Sequence, residues 1–272
     1  MTAERREPGP IRLRPPGVAP VELWDLELSR GILWDHMDGD ALSVALVEAV
    51  ERLRKGTART RSRMPIPALA RELRALWLAG GRASTIDAAT LGAALGLPVF
   101  IADAPTAFAE RGARALVPEA AALAVIDLGQ SRLKLSVGGR RFEHDRPWQR
   151  LPLHEASPSI DPTPARTALR AWVGAALAAA AATPRPDAVV LALPCELPDA
   201  PIPGSSSYPG LRGDATFISD VLATAAWHPT RVLVLNDAEL AAVAAGLDAR
   251  THGTLTLVLT LGFGVGGALR LP

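Results

Sequence analysis

The sequence predicts a mixed α/β fold built from two related lobes, on three observations. Short apolar runs of strand length alternate with longer segments of helical periodicity along the chain. Two of those runs, VIDLGQSRLKL and VLTLGFGVGGA, share one outline: an apolar strand, a polar residue (Asp127 or Thr260), a leucine, a glycine (Gly129 or Gly262), a small turn and a returning strand. The chain is 272 residues long and 49% hydrophobic, enough to bury one large core or two of middle size.

Taken in order, residues 1–20 carry five prolines around IRLR and predict at most one short edge strand. GDALSVALVEAVERLRKG places Leu42, Leu46, Val50 and Leu53 at helical spacing, with Asp40 as N-cap and Gly56 beyond the end. LRALWLAGG reads as a buried strand, TIDAATLGAALG as a short helix, LPVFIA as a strand and APTAFAERGARAL as a helix. From residue 123, LAVIDLG, RLKLSV and RRFEH form a three-strand meander with turns at Gly129–Ser131 and at Gly138–Gly139. A helix over 164–182 and the strand DAVVLALP follow, then ELPDAPIPGSSSYPGLRGD, a loop too long to be a mere connector. ATFISDVLATAA is a helix, TRVLVLND a strand ending in an amide and an acid, AELAAVAAGLD a helix, and LTLVLTLGFGVGGALRL a closing hairpin.

Bulk properties narrow the function. Twenty-nine basic residues against 28 acidic ones leave no field that would draw nucleic acid or an anionic membrane. The basic run RKGTARTRSR (54–63) lacks interleaved aromatics and reads as a solvated linker. One cysteine, Cys195, excludes an intramolecular disulfide and a multi-thiolate zinc site. MTAERREPGP lacks the apolar core of a signal peptide, and no apolar stretch approaches the roughly 18 residues of a membrane span, so a cytoplasmic protein is expected. The six tryptophans are scattered and read as core or lobe-interface packing.

The two glycine turns suit backbone N–H groups directed at one anion, because a side chain there would block close approach to phosphate. Asp127 is then either a group near that anion or a β-turn residue, and Asn236 with Asp237 caps the following helix whether or not they do chemistry. Gly80 and Gly81 alone are only turn-like.

These segments together resemble the actin, hexokinase and Hsp70 superfamily of ATP-dependent phosphotransferases, within it the ROK group of bacterial sugar kinases and repressors. IDLGQS resembles its first phosphate loop, TLGFGVGGAL its second, VLVLNDAELAAVAAG the segment leading into a crossing helix, and residues 76–113 the adenosine segment. The resemblance covers most of residues 72–272 and implies a bilobal, actin-like ATPase fold of the ribonuclease H-like type. The adenosine segment comes first here and last in the family, so the chain reads as circularly permuted, with the old termini joined and a new break in an exposed connection. The implied lobes are residues 105–249, and residues 1–104 with 250–272.

The resemblance also implies roles. Asp127 would hold a water of a Mg²⁺ shell, and Gly129, Gln130 and Ser131 would meet the phosphates of ATP or ADP. Thr260, Gly262 and Gly264 would do so from the second hairpin, while Gly80, Gly81 and Arg82 would receive the adenosine. Lys134 either faces the phosphates or is an outward-facing strand lysine. Asp237 would be the general base for a small hydroxylated acceptor and Asn236 would hold a neighbouring hydroxyl; Tyr208 and Arg212, in the long loop, are substrate candidates. Two departures stand out. Phe263 occupies the place of a family threonine. The region equivalent to the family's zinc segment, near residues 11–40, offers Glu27 and His36 but no cysteine, so no zinc is expected. No helix-turn-helix arm is apparent, so DNA binding is not expected. The expected function is phosphoryl transfer from Mg·ATP to a sugar-like acceptor or to water. The alternatives are a nucleotide-binding regulator or scaffold with weak turnover, and a filament-forming actin homologue; self-association is left open.

Overall fold

A computed structural model describes residues 9–21, 37–58, 72–152, 161–180, 185–204 and 206–272. In chain order the elements are β1 (Ile11–Arg12), β2 (Val18–Val21), α1 (Gly39–Lys55), β3 (Ala75–Ala79), α2 (Ala88–Leu95), β4 (Val99–Ile101), α3 (Phe108–Leu116), β5 (Leu123–Leu128), β6 (Arg132–Val137), β7 (Arg140–Asp145), α4 (Thr163–Ala179), β8 (Ala188–Leu193), α5 (Phe217–Thr224), β9 (Arg231–Asn236), α6 (Asp237–Ala245), β10 (Thr256–Leu261) and β11 (Val265–Arg270). The fold is mixed α/β with two sheets, and the chain divides into two compact units, Met1–Leu13 with Val117–Asp237 and Arg14–Leu116 with Ala238–Pro272. This division places α3 and, from Ala238 onward, α6 in the second unit.

The sheet of the first unit runs β1-β9-β8-β5-β6-β7. The three strands β5, β6 and β7 are an antiparallel meander; β8 and β9 then run parallel to β5, and β1 adds a parallel edge. Central β5 and β8 are buried at every position, as strands covered on both faces must be, whereas β6 alternates exposed and buried residues with period two. The edge strand β7 carries Arg140, Arg141, Glu143 and Asp145, charges that discourage pairing with another chain. Gly138 and Gly139, both with positive φ, close the tight turn between β6 and β7 as a two-residue hairpin demands. Leu133, Leu177, Leu191 and Phe217 belong to the core of this unit.

The second sheet runs β2-β11-β10-β3-β4. Hairpin β10–β11 is antiparallel, β2 continues it, and β3 and β4 run parallel to β10. Counted from β10 as the first strand, this sheet has the order and directions of the five strands β5–β9, with α1 and α2 occupying the places in the chain that α4 and α5 hold in the first unit. The register agrees as well: Asp127 pairs with Ala192 on β8, and Thr260 with Ala79 on β3.

Two local expectations need correction. The N-terminal segment forms two short strands in different sheets rather than one, because the chain turns at Pro15–Gly17, where Val18 donates to the Pro15 carbonyl and Gly17 takes φ +67. The cap of α1 is Asp38, whose Oδ1 accepts from Ala41 N at 2.8 Å, and Asp40 lies in the first helical turn, where a negative charge still favours the helix dipole. Of the tryptophans, Trp77 and Trp227 are buried, Trp172 packs on the first core and Trp148 is 41% exposed; Trp24 and Trp34 lie outside the described residues, as do Glu27 and His36. Among the described residues no helix is long and apolar enough to cross a membrane.

Helices α3 and α6 approach each other through Gly112, where an added Cβ would sit 2.6 Å from the Leu240 carbonyl oxygen. Glycine inside a helix is otherwise unfavourable, so this backbone contact accounts for its presence. Gly112→Ala is expected to lower unfolding stability by about 1–3 kcal/mol, read as a reduced urea midpoint at unchanged slope.

Candidate functional site

Asp127 stands one residue before the end of β5 and its carboxylate is buried. Its ladder partner is Lys134, with Nζ 3.4 Å from Oδ2, and Lys134 pairs in turn with Glu143 on β7. Directly opposed residues share one face of a sheet, so acid, base and acid form a row. Burial pushes the Asp127 carboxyl up from its ordinary value; the nearby Lys134 ammonium pulls it down, and Glu143 adds a lesser upward push. Lys134 therefore faces Asp127 rather than lying on the opposite side of the strand.

The turn that follows is held from one side. The Gly129 carbonyl accepts from the Tyr208 hydroxyl at 2.7 Å, the Gln130 carbonyl from Arg146 Nη1 at 2.8 Å, and the Ser131 carbonyl from the Arg146 backbone N–H at 2.9 Å. Gly129 leaves no room for a side chain, since a Cβ would lie 2.9 Å from the Arg132 carbonyl oxygen. Gln130 Oε1 is buried without a hydrogen-bond partner.

Arg146 was not singled out by the sequence. It directly follows the edge strand β7 and is buried to 2% exposure. Its guanidinium donates to the carbonyls of Leu151 (2.6 Å), Pro152 (2.7 Å), Gln130 and Ser207 (2.9 Å) and to the Ser207 hydroxyl (3.3 Å), and it lies 3.9 Å from the centroid of the Tyr208 ring. The only local signal was an arginine between an acid and a proline, which carries no periodicity.

Tyr208, expected to face a substrate, is buried; its hydroxyl is engaged by Gly129 and its ring packs between Arg146 and Trp172, so it supports the turn. The long loop around it is pinned by Asp214, buried between Arg166 and Arg170, and by Gly210, whose Cα abuts the Arg166 backbone. Arg212 is exposed on that loop.

Ladder pairing puts Leu235 in line with Ala192 and Asp127, so Asn236 and Asp237 lie just beyond, at the carboxyl ends of the same parallel strands. Two strand spacings separate β9 from β5, about 10 Å. Asn236 Nδ2 donates to the carbonyls of Cys195 (2.9 Å) and Leu193 (3.3 Å), which fixes the point where α6 begins with the half-buried Asp237. Parallel sheets characteristically bind ligands at this edge.

In the second unit, Thr260 takes the place in its sheet that Asp127 holds in the first. It is 6% exposed and its Oγ1 has no hydrogen-bond partner; across the ladder stands Gly266, where the first hairpin has Lys134. Gly262 N–H donates to the Gly264 carbonyl at 3.0 Å to close the turn, with Phe263 half-buried between them. Gly80, at φ +93, packs against Leu261, whose carbonyl oxygen a Cβ would approach to 2.3 Å; Gly81 has open space beside its Cα. Arg82 joins the same strand end, its backbone N–H donating to the Leu261 carbonyl at 3.0 Å and its guanidinium to the Met37 carbonyl.

Among the described residues no group of three or more His, Cys, Asp or Glu side chains could hold a metal ion. Magnesium needs no such cage, since it keeps much of its water and binds through one or two carboxylates and substrate phosphates. Asp127, a buried carboxylate already facing a cation, fits that requirement.

No protein-family model matches the sequence, and no curated protein does. Among solved structures, the chain is similar to the Aquifex aeolicus member of the Ppx/GppA protein family, with 14% identity over 62% of this chain and 55% of that one and a TM-score of 0.32. The chain thus spans about half the length of that protein.

A carboxyl raised above its unfolded value binds its proton more tightly in the folded state, so its contribution is favourable at low pH and is lost as pH rises through the folded value. Asp127 therefore contributes less to stability at neutral pH than at low pH. Asp127→Asn is expected to melt at a higher temperature than wild type at neutral pH, the difference closing as pH falls toward 3.8. Ligand-free thermal denaturation across that range checks this, and equal melting temperatures at neutral pH would contradict it.

Proposed function

We propose that this chain is a circularly permuted actin-like ATPase or phosphotransferase that binds Mg·ATP or Mg·ADP. The observation that carries the reading is the repeated strand order: each sheet opens with a hairpin whose turn contains glycine and whose first strand ends in a buried polar residue at one register position, Asp127 or Thr260. The second copy is complete only when β10 and β11 at the end of the chain are read ahead of β2, which is what a rotated chain order requires.

In this reading the N–H groups of the Gly129–Ser131 turn in the first unit receive phosphate oxygens, and in the second unit the Thr260 hydroxyl, without a partner among the described residues, is a candidate hydrogen-bond donor to phosphate. Asp127 would hold a magnesium ion through water. Magnesium, when bound with the nucleotide, neutralises charge developing on the transferred phosphoryl oxygens. Asp237 accepts the proton of the attacking hydroxyl or water, held in place by Asn236, whose amide is anchored to the end of β8. Gly80, Gly81 and Arg82 receive the nucleoside. A regulator with weak turnover is the second reading, favoured by Phe263, an apolar ring in the Gly262–Gly264 turn.

Calorimetric titration with Mg·ATP is expected to show binding to wild type and at least tenfold weaker binding to Asp127→Ala. Asp237→Asn is expected to bind nucleotide normally and release ADP about 10²- to 10⁴-fold more slowly. Absence of Mg·nucleotide binding in the wild type would overturn the proposal; binding with equally slow ADP release in wild type and Asp237→Asn would favour the regulator.

A further inference from the structure

We propose that Arg146 and Tyr208 are positioning residues for an oxyanion-binding turn at Gly129–Ser131, turning its N–H groups outward and adding a positive charge that the bound oxyanion offsets. The inference rests on the reading that this turn takes phosphate, and it specifies what makes the turn competent.

The first support is directional. In a trans peptide the C=O and N–H bonds point opposite ways. The carbonyls of Gly129 and Gln130 are held by Tyr208 and by the Arg146 guanidinium, so the N–H groups of Gln130 and Ser131, which share those two peptide planes, face away from the support. The Ser131 carbonyl is fixed on the same residue through the Arg146 N–H. Three consecutive carbonyls, two anchored by the Tyr208 and Arg146 side chains and one by the Arg146 backbone N–H, leave the turn little freedom to rotate its donors back, and Gly129 provides the close approach the bend needs.

The second support is electrostatic. Among the described residues the partners of the Arg146 guanidinium are four carbonyls, one hydroxyl and two aromatic rings, with no carboxylate. A buried cation is ordinarily paired with an anion, because its desolvation is otherwise expensive. All five guanidinium donors are engaged by protein oxygens, so Arg146 does not bind the oxyanion directly. Its charge instead acts through the turn it holds, at the low effective dielectric of a buried site. Burial also keeps the Tyr208 phenol protonated, which preserves its donation to Gly129.

The same clamp reaches Ser207 and Tyr208 in the long loop. Order in that loop and order in the anion turn are one event.

The test uses the whole chain with pyrophosphate as probe, in magnesium, by calorimetry. Tyr208→Phe retains the ring beneath Arg146 and removes only the donation to Gly129. It is expected to weaken pyrophosphate binding about five- to tenfold, the equivalent of one hydrogen bond, in protein still folded at the titration temperature, its melting temperature lowered only by the loss of that one bond. Arg146→Lys keeps the charge and is expected to retain the wild-type dependence of binding on ionic strength. Arg146→Met is expected to bind about tenfold more weakly than Arg146→Lys, with a shallower salt dependence. Should Arg146→Met fail to fold, Tyr208→Phe and Arg146→Lys decide the matter alone. A purely structural clamp would lower melting temperatures and leave the affinity of folded protein unmoved. Wild-type affinity in Tyr208→Phe, or an altered salt dependence in Arg146→Lys, overturns the inference while leaving the phosphate reading intact. A wild type that binds neither pyrophosphate nor Mg·ATP overturns both.

Discussion

The guanidinium of Arg146 joins three stretches of chain that are far apart in sequence: the turn after β5, the segment leaving β7 and the long loop between β8 and α5. Hydrogen bonds to a charged donor contribute more than neutral ones, and each carbonyl left without its partner in a buried place would carry the full cost of desolvation. The arrangement is therefore cooperative. Loss of one contact exposes the others to water and releases the turn at the tip of the sheet, so the geometry of Gly129–Ser131 depends on a residue that is not part of the hairpin.

The two units differ in how they support their hairpins. In the first, a ladder row of Asp127, Lys134 and Glu143, with Lys134 ion-paired to Asp127, crosses the sheet behind a braced turn. In the second, the corresponding row is Thr260 beside Gly266, and the strand end is held by backbone contacts from Gly80 and Arg82. One copy is charged and clamped while the other is neutral and close-packed. At this strand position a carboxylate stands in the first unit and a hydroxyl in the second, even though the strand order is shared.

Much of this fold was legible because its elements announce themselves locally. Buried strands such as AVVLAL are continuous apolar runs, the Gly138–Gly139 pair dictates a two-residue turn, and Gly56 ends α1 in the left-handed conformation only glycine adopts readily. The likeness of the two hairpins was visible as residues at matched offsets. What was not legible depends on distant partners. Nothing in EHDRPW says that Arg146 turns inward to Gln130 and Ser207, and nothing in SSSYPG says that Tyr208 points down to Gly129 rather than out to a ligand. Likewise β1 and β2 are too short to have a period, and only their partners β9 and β11 assign them to separate sheets.

Strand β2 pairs with β11, and the Leu271 N–H donates to the Gly17 carbonyl, so the beginning and the end of the second unit are adjacent strands. Strands β2, β3 and β4 precede β5–β9 in sequence, and their sheet is completed only by β10 and β11, which follow them. Closing so long an interval slows folding through the entropy of bringing the ends together. Until that pairing forms, the flank of β3, apolar along its length, is open to misassembly.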